Sequence, residues 1–347
     1  MKILYGVQGT GNGHISRSRV MAKYLTQHDV EVTYLLSGRE KSQLFDMDIF
    51  GDYLHFPGLT FKTNQGKIDY TGSLFVNNMF KFFRDVAALD VEPYDLVITD
   101  FEPITAWAAK RANKALLAIG HQYAFGANTP VAGKSVIAAK ILQHFAPAEQ
   151  SLGLHWSHYD NNVLPPIIDV NLKRQSEQGP IVVYLPFEDQ AQVVQLLQQF
   201  PQQNFIQYSA ELSAKTLANV EQKKTCYQGF KQDLVQAKAV ICNSGFELNS
   251  ECIHLGIPIL TKPIQGQMEQ QSNALALAQL GYGKVMQELS FSSIDNWLVN
   301  LSSQTICRYP DVAKEIVNWL LSGRQQAISE LSAQLWHQVP NSVEVVS

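Results

Sequence analysis

Apolar residues along this chain fall into short unbroken runs, separated by longer stretches with helical spacing. Lys2–Val7, Val30–Leu36, Leu96–Thr99 and Ala115–Ile119 read as strands, each closed by Gly, Ser or Asp. Between the first two, Ile15–Gln27 places Ile15, Val20, Met21, Tyr24 and Leu25 near a 3.6-residue period, and Ile104–Ala112 reads as a shorter helix. Strands without polar alternation belong in a parallel sheet covered on both faces. The pattern breaks in NNVLPPIIDVNLKRQSEQGP and then restarts. Ile181–Leu185 is a strand, Gln190–Gln199 a helix and Asn204–Tyr208 a strand. Val235–Cys242 covers a helix end and a strand, Phe246–Leu255 is a helix and Ile257–Thr261 a strand. Gln271–Leu280 is a helix stopped by Gly281, and Asp311–Leu321 is an amphipathic helix.

The expected fold is therefore α/β, with two successive Rossmann-like units. Residues 1–165 form the first, 166–178 a linker, 179–310 the second, and 311–347 a helical tail that packs back on the first. A length of 347 residues supports two units, and 46% apolar with 17% charged residues excludes a disordered chain. A net charge of −4 and no basic run longer than Lys223-Lys224 exclude a nucleic-acid footprint. The four cysteines form no C-x-x-C pair, so neither a zinc site nor a disulfide framework is expected, and reduced thiols in the cytoplasm are. The N-terminal apolar run is too short for a signal peptide, and no stretch reaches the ~18 apolar residues of a membrane span.

The first chemical signal is GTGNGH, Gly9 to His14, between a strand and a helix. Gly9, Gly11 and Gly13, with Thr10, let a ligand approach the backbone, and the helix start offers free N–H groups to an anion. A tight turn without a ligand is the alternative. The spacing is neither the dinucleotide fingerprint nor a P-loop, which removes the dehydrogenase and ATPase readings. His14 stands where the loop becomes helix and suits a general base. Asp100 ends DLVITD, and in a parallel sheet all C-terminal strand ends share one edge, so Asp100 reaches His14 and orients it. Glu102 is a rival base. His121 and Gln122, after the strand in LLAIGHQY, reach the same edge.

The second signal is VICNSGFELNSECIHLGIPILTKPIQGQMEQQSNALALAQLGYG. A strand ends at Asn243, Ser244-Gly245 turns, and a helix begins near Phe246, presenting N–H groups to a phosphate. Glu251 lies about one and a half turns into that helix, where a carboxylate accepts ribose hydroxyls. A later loop brings Gln267, Glu269 and Gln270, suited to sugar hydroxyls, and Asn273 opens the next helix.

This segment resembles the donor-binding signature of GT-B glycosyltransferases, including the UDP-glycosyltransferases and the N-acetylglucosaminyltransferase that makes lipid II. Ser244-Gly245, Glu251, Gly256-Ile257-Pro258, Pro263 and Glu269-Gln270-Gln271-Ser272-Asn273-Ala274 keep the order and spacing of that signature. GTGNGH, DLVITDFEPITAWAAKRANKA and GPIVVYLPFED are similar to three further family segments, and a bacterial and archaeal branch is nearest. The resemblance implies two Rossmann-like domains facing each other across a cleft. It implies inverting transfer of a hexosyl or N-acetylhexosaminyl group from a nucleotide-diphosphate sugar, UDP-linked, to an acceptor hydroxyl. Glu251 would hold the ribose, Ser244–Phe246 the diphosphate, and Glu269 and Gln270 the sugar. No cofactor is implied, and without a DxD motif no metal is expected. The chain departs from the pattern at Asn243-Ser244, which precede the glycine, and at Glu269, where aspartate is usual. The acceptor is a glycan, a lipid-linked sugar or a small molecule. SLFVNNMFKFFRDVAAL, with Phe75, Phe80, Phe82, Phe83, Lys81 and Arg84, is either a core-packed helix or a peripheral contact with the inner face of a membrane. A UDP-N-acetylglucosamine 2-epimerase of the same fold and an inactive sugar-nucleotide binder are the competing classes.

Overall fold

The computed structural model describes residues 1–60, 62–64, 67–69, 78–126, 128–132, 144–301 and 305–340. Phe75 lies outside them. The first unit runs β1 (Lys2–Gln8), α1 (Asn12–Leu25), β2 (Glu31–Ser37), β3 (Leu54–His55), a small hairpin of β4 (Lys62–Asn64) and β5 (Lys67–Asp69), and α2 (Met79–Ala88). It continues with β6 (Leu96–Asp100), α3 (Pro103–Arg111), β7 (Leu116–Gly120), β8 (Gln150–Leu154) and β9 (Val163–Leu164). The second runs β10 (Ile181–Tyr184), α4 (Gln190–Leu197), β11 (Phe205–Ser209), β12 (Lys215–Leu217), β13 (Val220–Lys224), α5 (Tyr227–Gln236) and β14 (Ala239–Asn243). It closes with α6 (Phe246–Leu255), β15 (Ile259–Lys262), α7 (Met268–Gln279), β16 (Lys284–Val285) and α8 (Phe291–Val299). Two helices follow, α9 (Val312–Leu321) and α10 (Ile328–His337).

The first sheet has the order β3-β2-β1-β6-β7-β8-β9 with every pairing parallel. The second has the order β12-β13-β11-β10-β14-β15-β16, parallel apart from the β12 edge. Central strands β6 and β14 are buried along their whole length, as unbroken apolar runs require. The last two helices return to the first unit: α9 packs on α1, with Tyr24 donating to Asp311, and Trp336 Nε1 of α10 donates to the Val163 carbonyl at 2.7 Å.

Three differences from the sequence expectation have physical causes. Within the expected linker Ile167 and Ile168 are buried in the core, so the proline-rich stretch lies against the protein. Helix α7 begins at Met268, not near Asn273, because Gln270 folds back to accept the Ile264 N–H at 3.1 Å and fixes the entry. Glu269 and Gln270 therefore sit on the first turn of a helix. The peripheral strands β8, β12, β13 and β16 carry glycine or charge (QSLGL, VEQKK), and β9 is only two residues long, which hides them from an apolar-run reading.

Candidate functional site

In each sheet the strand order reverses next to the first strand. In the first sheet the reversal lies between β1 and β6, and in the second between β10 and β14. Loops leaving two such neighbours diverge and open a crevice at the C-terminal edge. The loop after β1 is Gly9–Gly11, and β6 ends at Asp100; the turn after β14 is Ser244-Gly245. Both crevices therefore receive residues that the sequence singles out.

Gly11 and Gly245 are the N-cap residues of helices α1 and α6, and neither makes a side-chain cap hydrogen bond. A Cβ added at either glycine would meet nothing within 4 Å. Two helix N-termini without a side-chain cap thus stand beside open space, an arrangement suited to an anion. Gly9 differs: its N–H donates to the Ser37 carbonyl at 2.6 Å, and a Cβ there would lie 2.8 Å from that oxygen, so it is a close-packing glycine. Thr10 stands between them, its methyl beside Gly38. The turn in the second unit is braced by Ser244 Oγ with Thr261 Oγ1 at 2.9 Å and by Asn243 Nδ2 donating to the Lys262 carbonyl at 3.0 Å.

His14, Arg17 and Ser18 share one face of α1, one turn apart, and all reach Asp100. His14 Nδ1 is 2.7 Å from Asp100 Oδ1, Arg17 Nε is 2.7 Å from Oδ2 and Ser18 Oγ is 3.2 Å from Oδ2. Asp100 is fully buried; burial alone would raise its pKa, and Arg17 with His14 outweigh that and lower it. Arg17 Nη2 also donates to Oδ1 and stands 2.6 Å from His14 Nδ1. A proton on Nδ1 would be donated to Asp100 Oδ1 and would leave the Nε2 lone pair toward Gln122, 3.5 Å away. The imidazole is 13% exposed, enough to be reached from outside.

Glu102 is not placed to take a proton from a substrate. It is the N-cap of α3, fully buried, accepting from Ile104 N at 2.9 Å, Thr105 N at 2.6 Å, Thr105 Oγ1 at 2.7 Å and Ser37 Oγ at 2.6 Å. The Glu-Pro pair at the helix start explains this: the side chain caps while proline fills the first helical position.

The two halves meet through site residues. His121, fully buried, lies 2.8 Å by Nδ1 from the Leu154 carbonyl and 2.6 Å by Nε2 from Asn273 Oδ1, and burial lowers its pKa. Asn273 Nδ2 donates in turn to the Ser244 carbonyl at 3.0 Å. His121 also stacks on Phe246, centroids 4.0 Å apart, and Trp156 stacks on the same ring at 5.1 Å. Phe246 is thereby a buried interface ring. Gln122 Nε2 donates to Glu269 Oε2 at 3.1 Å, and Asn12 Nδ2 donates to Tyr184 Oη at 2.9 Å. Glu251 is paired with Lys231 of α5, whose Nζ lies 5.4 Å from the Tyr227 ring centroid.

Amide oxygens of Gln122, Asn243 and Gln267 are buried and have no hydrogen-bond partner. Orphaned acceptors of this kind call for donors from outside the chain. Sequence reasoning missed Arg17, Glu247, Lys231 and Tyr184. Arg17 and Glu247 carried a signal in hindsight, as charged residues one turn from His14 and in the first turn of α6. Tyr184 and Lys231 carried none. A separate cavity of about 650 Å³, bordered by Arg19, Lys23, Asp46, Asp169 and Tyr227, lies on the opposite face of α1, and none of the sequence-selected residues lines it.

Among the described residues no helix is long and apolar enough to cross a membrane. By sequence, no curated protein matches the chain. By structure, the chain is similar to the glycotransferase of kitacinnamycin, with TM-score 0.57 and 16% identity over 98% of this chain and 99% of that one. It is similar to a Streptomyces glycosyltransferase complexed with thymidine diphosphate, at TM-score 0.55 and 11% identity over 96% of each. It is also similar to UDP-GlcNAc 2-epimerase from Neisseria meningitidis bound to UDP-GlcNAc, at TM-score 0.61 and 11% identity over 93% of this chain and 100% of that one. These likenesses show the GT-B arrangement of two Rossmann-like domains. The family of glycosyl transferase family 1 matches residues 1–302, most of the chain, and the protein belongs to that family as a glycosyltransferase of GT-B type.

Proposed function

We propose that the protein transfers a sugar from a nucleoside-diphosphate sugar to an acceptor hydroxyl, with inversion at the anomeric carbon. The observation that carries this reading is the facing of the His14–Asp100 pair and the uncapped N-terminus of α6 at one junction. The diphosphate lies against the N–H groups of Ser244–Phe246, where the helix dipole favours negative charge. Glu251 accepts the ribose hydroxyls, sharing its carboxylate with Lys231. Glu269 and Gln270, on the first turn of α7, bind the sugar, and the orphaned oxygens of Gln122, Asn243 and Gln267 accept from hydroxyls.

His14 Nε2 takes the acceptor proton while the acceptor oxygen forms its bond to the anomeric carbon. The bond from that carbon to the phosphate oxygen breaks, and the nucleoside diphosphate leaves with the electron pair. Asp100 supports the imidazolium that results. The donor is a UDP-linked hexose or N-acetylhexosamine, no metal or other cofactor takes part, and the site works in the cytoplasm. Helix α2 buries Phe82 and Val86 yet leaves Phe80 80% and Phe83 56% exposed, beside Met79, Lys81 and Arg84. That face supports peripheral contact with a membrane and a lipid-linked acceptor.

The deciding experiment screens nucleotide sugars by thermal shift, since a ligand of the folded state raises the melting temperature, and then incubates the binders with acceptors. Free nucleoside diphosphate together with glycosylated acceptor supports the reading. An altered sugar nucleotide without acceptor consumption points to epimerisation instead, and binding without turnover to an inactive binder.

A further inference from the structure

Arg17 is not among the residues singled out from the sequence, yet it binds two carboxylates at the site. It is 2% exposed, and its guanidinium divides between two carboxylates on opposite sides of the junction. Nε and Nη2 serve Asp100 of the first domain, and Nη1 serves Glu247, the second residue of α6 in the other. Burial works against this cation, and Asp100 with Glu247 overcome it and raise its pKa. The approach is tight: a Cβ on Gly13 would lie 3.1 Å from Glu247 Cγ.

We propose that Arg17 and Glu247 form a positioning pair that couples contact between the two domains to the readiness of His14 as base; this rests on the reading of His14 given above. Neither residue needs to touch the substrate. With the domains apart, Arg17 draws on Asp100 alone, and the carboxylate that must support imidazolium at His14 is already committed. With the domains together, Glu247 takes one arm of the guanidinium. The transition state then holds two cations, Arg17 and the nascent imidazolium, against two carboxylates, Asp100 and Glu247. That balance matters because the cluster is dry, where an unmatched charge is costly. It also places the donor-side helix under the control of the base-side domain.

Glu247 is faced by Arg17 from α1, by Asp100 from the end of β6, by Glu251 from its own helix and by Lys231 from α5. Burial pushes its carboxyl up to about 8, against the pull of Arg17. It therefore ionises within the working range, and the balancing charge arrives as pH rises through that value.

The test compares wild type, Glu247→Gln, Glu247→Asp and Arg17→Lys, with kcat and donor KM followed from neutral to mildly alkaline pH. Wild type is expected to gain kcat through about pH 8. Glu247→Gln loses that rise and roughly 3- to 30-fold in kcat with little change in donor KM, the range of mutations that modulate coupling between sites. Glu247→Asp restores the rise. Arg17→Lys keeps the charge but not the fork, lowers kcat with donor KM unchanged, and serves if Glu247→Gln does not fold. A Glu247→Gln enzyme with the wild-type rise and kcat, or an Arg17→Lys enzyme with wild-type kcat, overturns the proposal. If wild type releases no nucleotide from any donor, the functional reading fails on its own account. Small-angle scattering then reads the pair without turnover: Glu247→Gln must be more open than wild type, and identical curves overturn the coupling.

Discussion

Gly13 faces Glu247 so closely that a methyl group on it would lie 3.1 Å from the glutamate Cγ, in the other domain. Gly13 is the second residue of α1. Alanine there has two opposed effects. It favours the helix by roughly 0.5–1 kcal/mol, and it forces Glu247 to give by a few tenths of an ångström. Gly13→Ala is expected to keep or raise the melting temperature while lowering kcat. Unchanged turnover beside a raised melting temperature would remove the interdomain reason for this glycine.

His14→Ala removes the base and leaves the donor turn intact. Loss of about 10²–10⁴ in kcat is expected, with donor binding by calorimetry unchanged. Turnover within tenfold of wild type would take the base role from His14. Asp100→Asn is a less clean test, because it also takes one of its two carboxylate partners from the buried Arg17 cation and costs stability.

Glu102→Gln separates a cap from a catalyst. The carboxylate accepts four hydrogen bonds, and an amide has one acceptor oxygen, so a loss of about 1–3 kcal/mol is expected at mildly acidic pH. Burial raises the pKa of Glu102, and the bonds from Ser37, Thr105 and Ile104 pull it back only in part. The folded protein therefore binds this proton more tightly than the unfolded chain. The contribution is complete below the ordinary glutamate range and is lost as pH rises through the raised value. Urea midpoints should show wild type declining with pH more steeply than Glu102→Gln, while kcat of the folded variant stays near wild type. A large fall in kcat at full folding would return Glu102 to the list of bases.

Phe80→Ser with Phe83→Ser tests the exposed face of α2. Neither side chain is buried, so the melting temperature should not fall. Flotation with vesicles containing anionic lipid should recover wild type and lose the double variant. Equal recovery of both would leave the face without a membrane role.

The amino-acid sequence by itself determined the alternation of strands and helices, because buried parallel strands are apolar on both faces and cannot be written otherwise. It also picked out polar residues that end or directly follow those strands. His14, Asp100, Ser244 and Gly245 were legible as candidates because glycine turns and polar residues after apolar runs stand at the C-terminal edge of such a sheet, whereas Glu251 and Gln270 were candidates through the resemblance of their segment to a donor-binding signature. Tertiary structure decided what those residues do to one another. Glu102 looks like Asp100 in sequence, both being carboxylates at the end of one strand, yet a turn two residues long sends one toward His14 and the other into a helix cap. Phe246, legible as a ring beside the turn, became an interface ring only because His121 arrives from 125 positions earlier to stack on it. Arg17 and Glu247 are 230 positions apart, and no local pattern links them. Periodicity reports the environment of a residue along its own element; partners supplied by another domain are fixed by how the two sheets dock, which is a property of the packed chain.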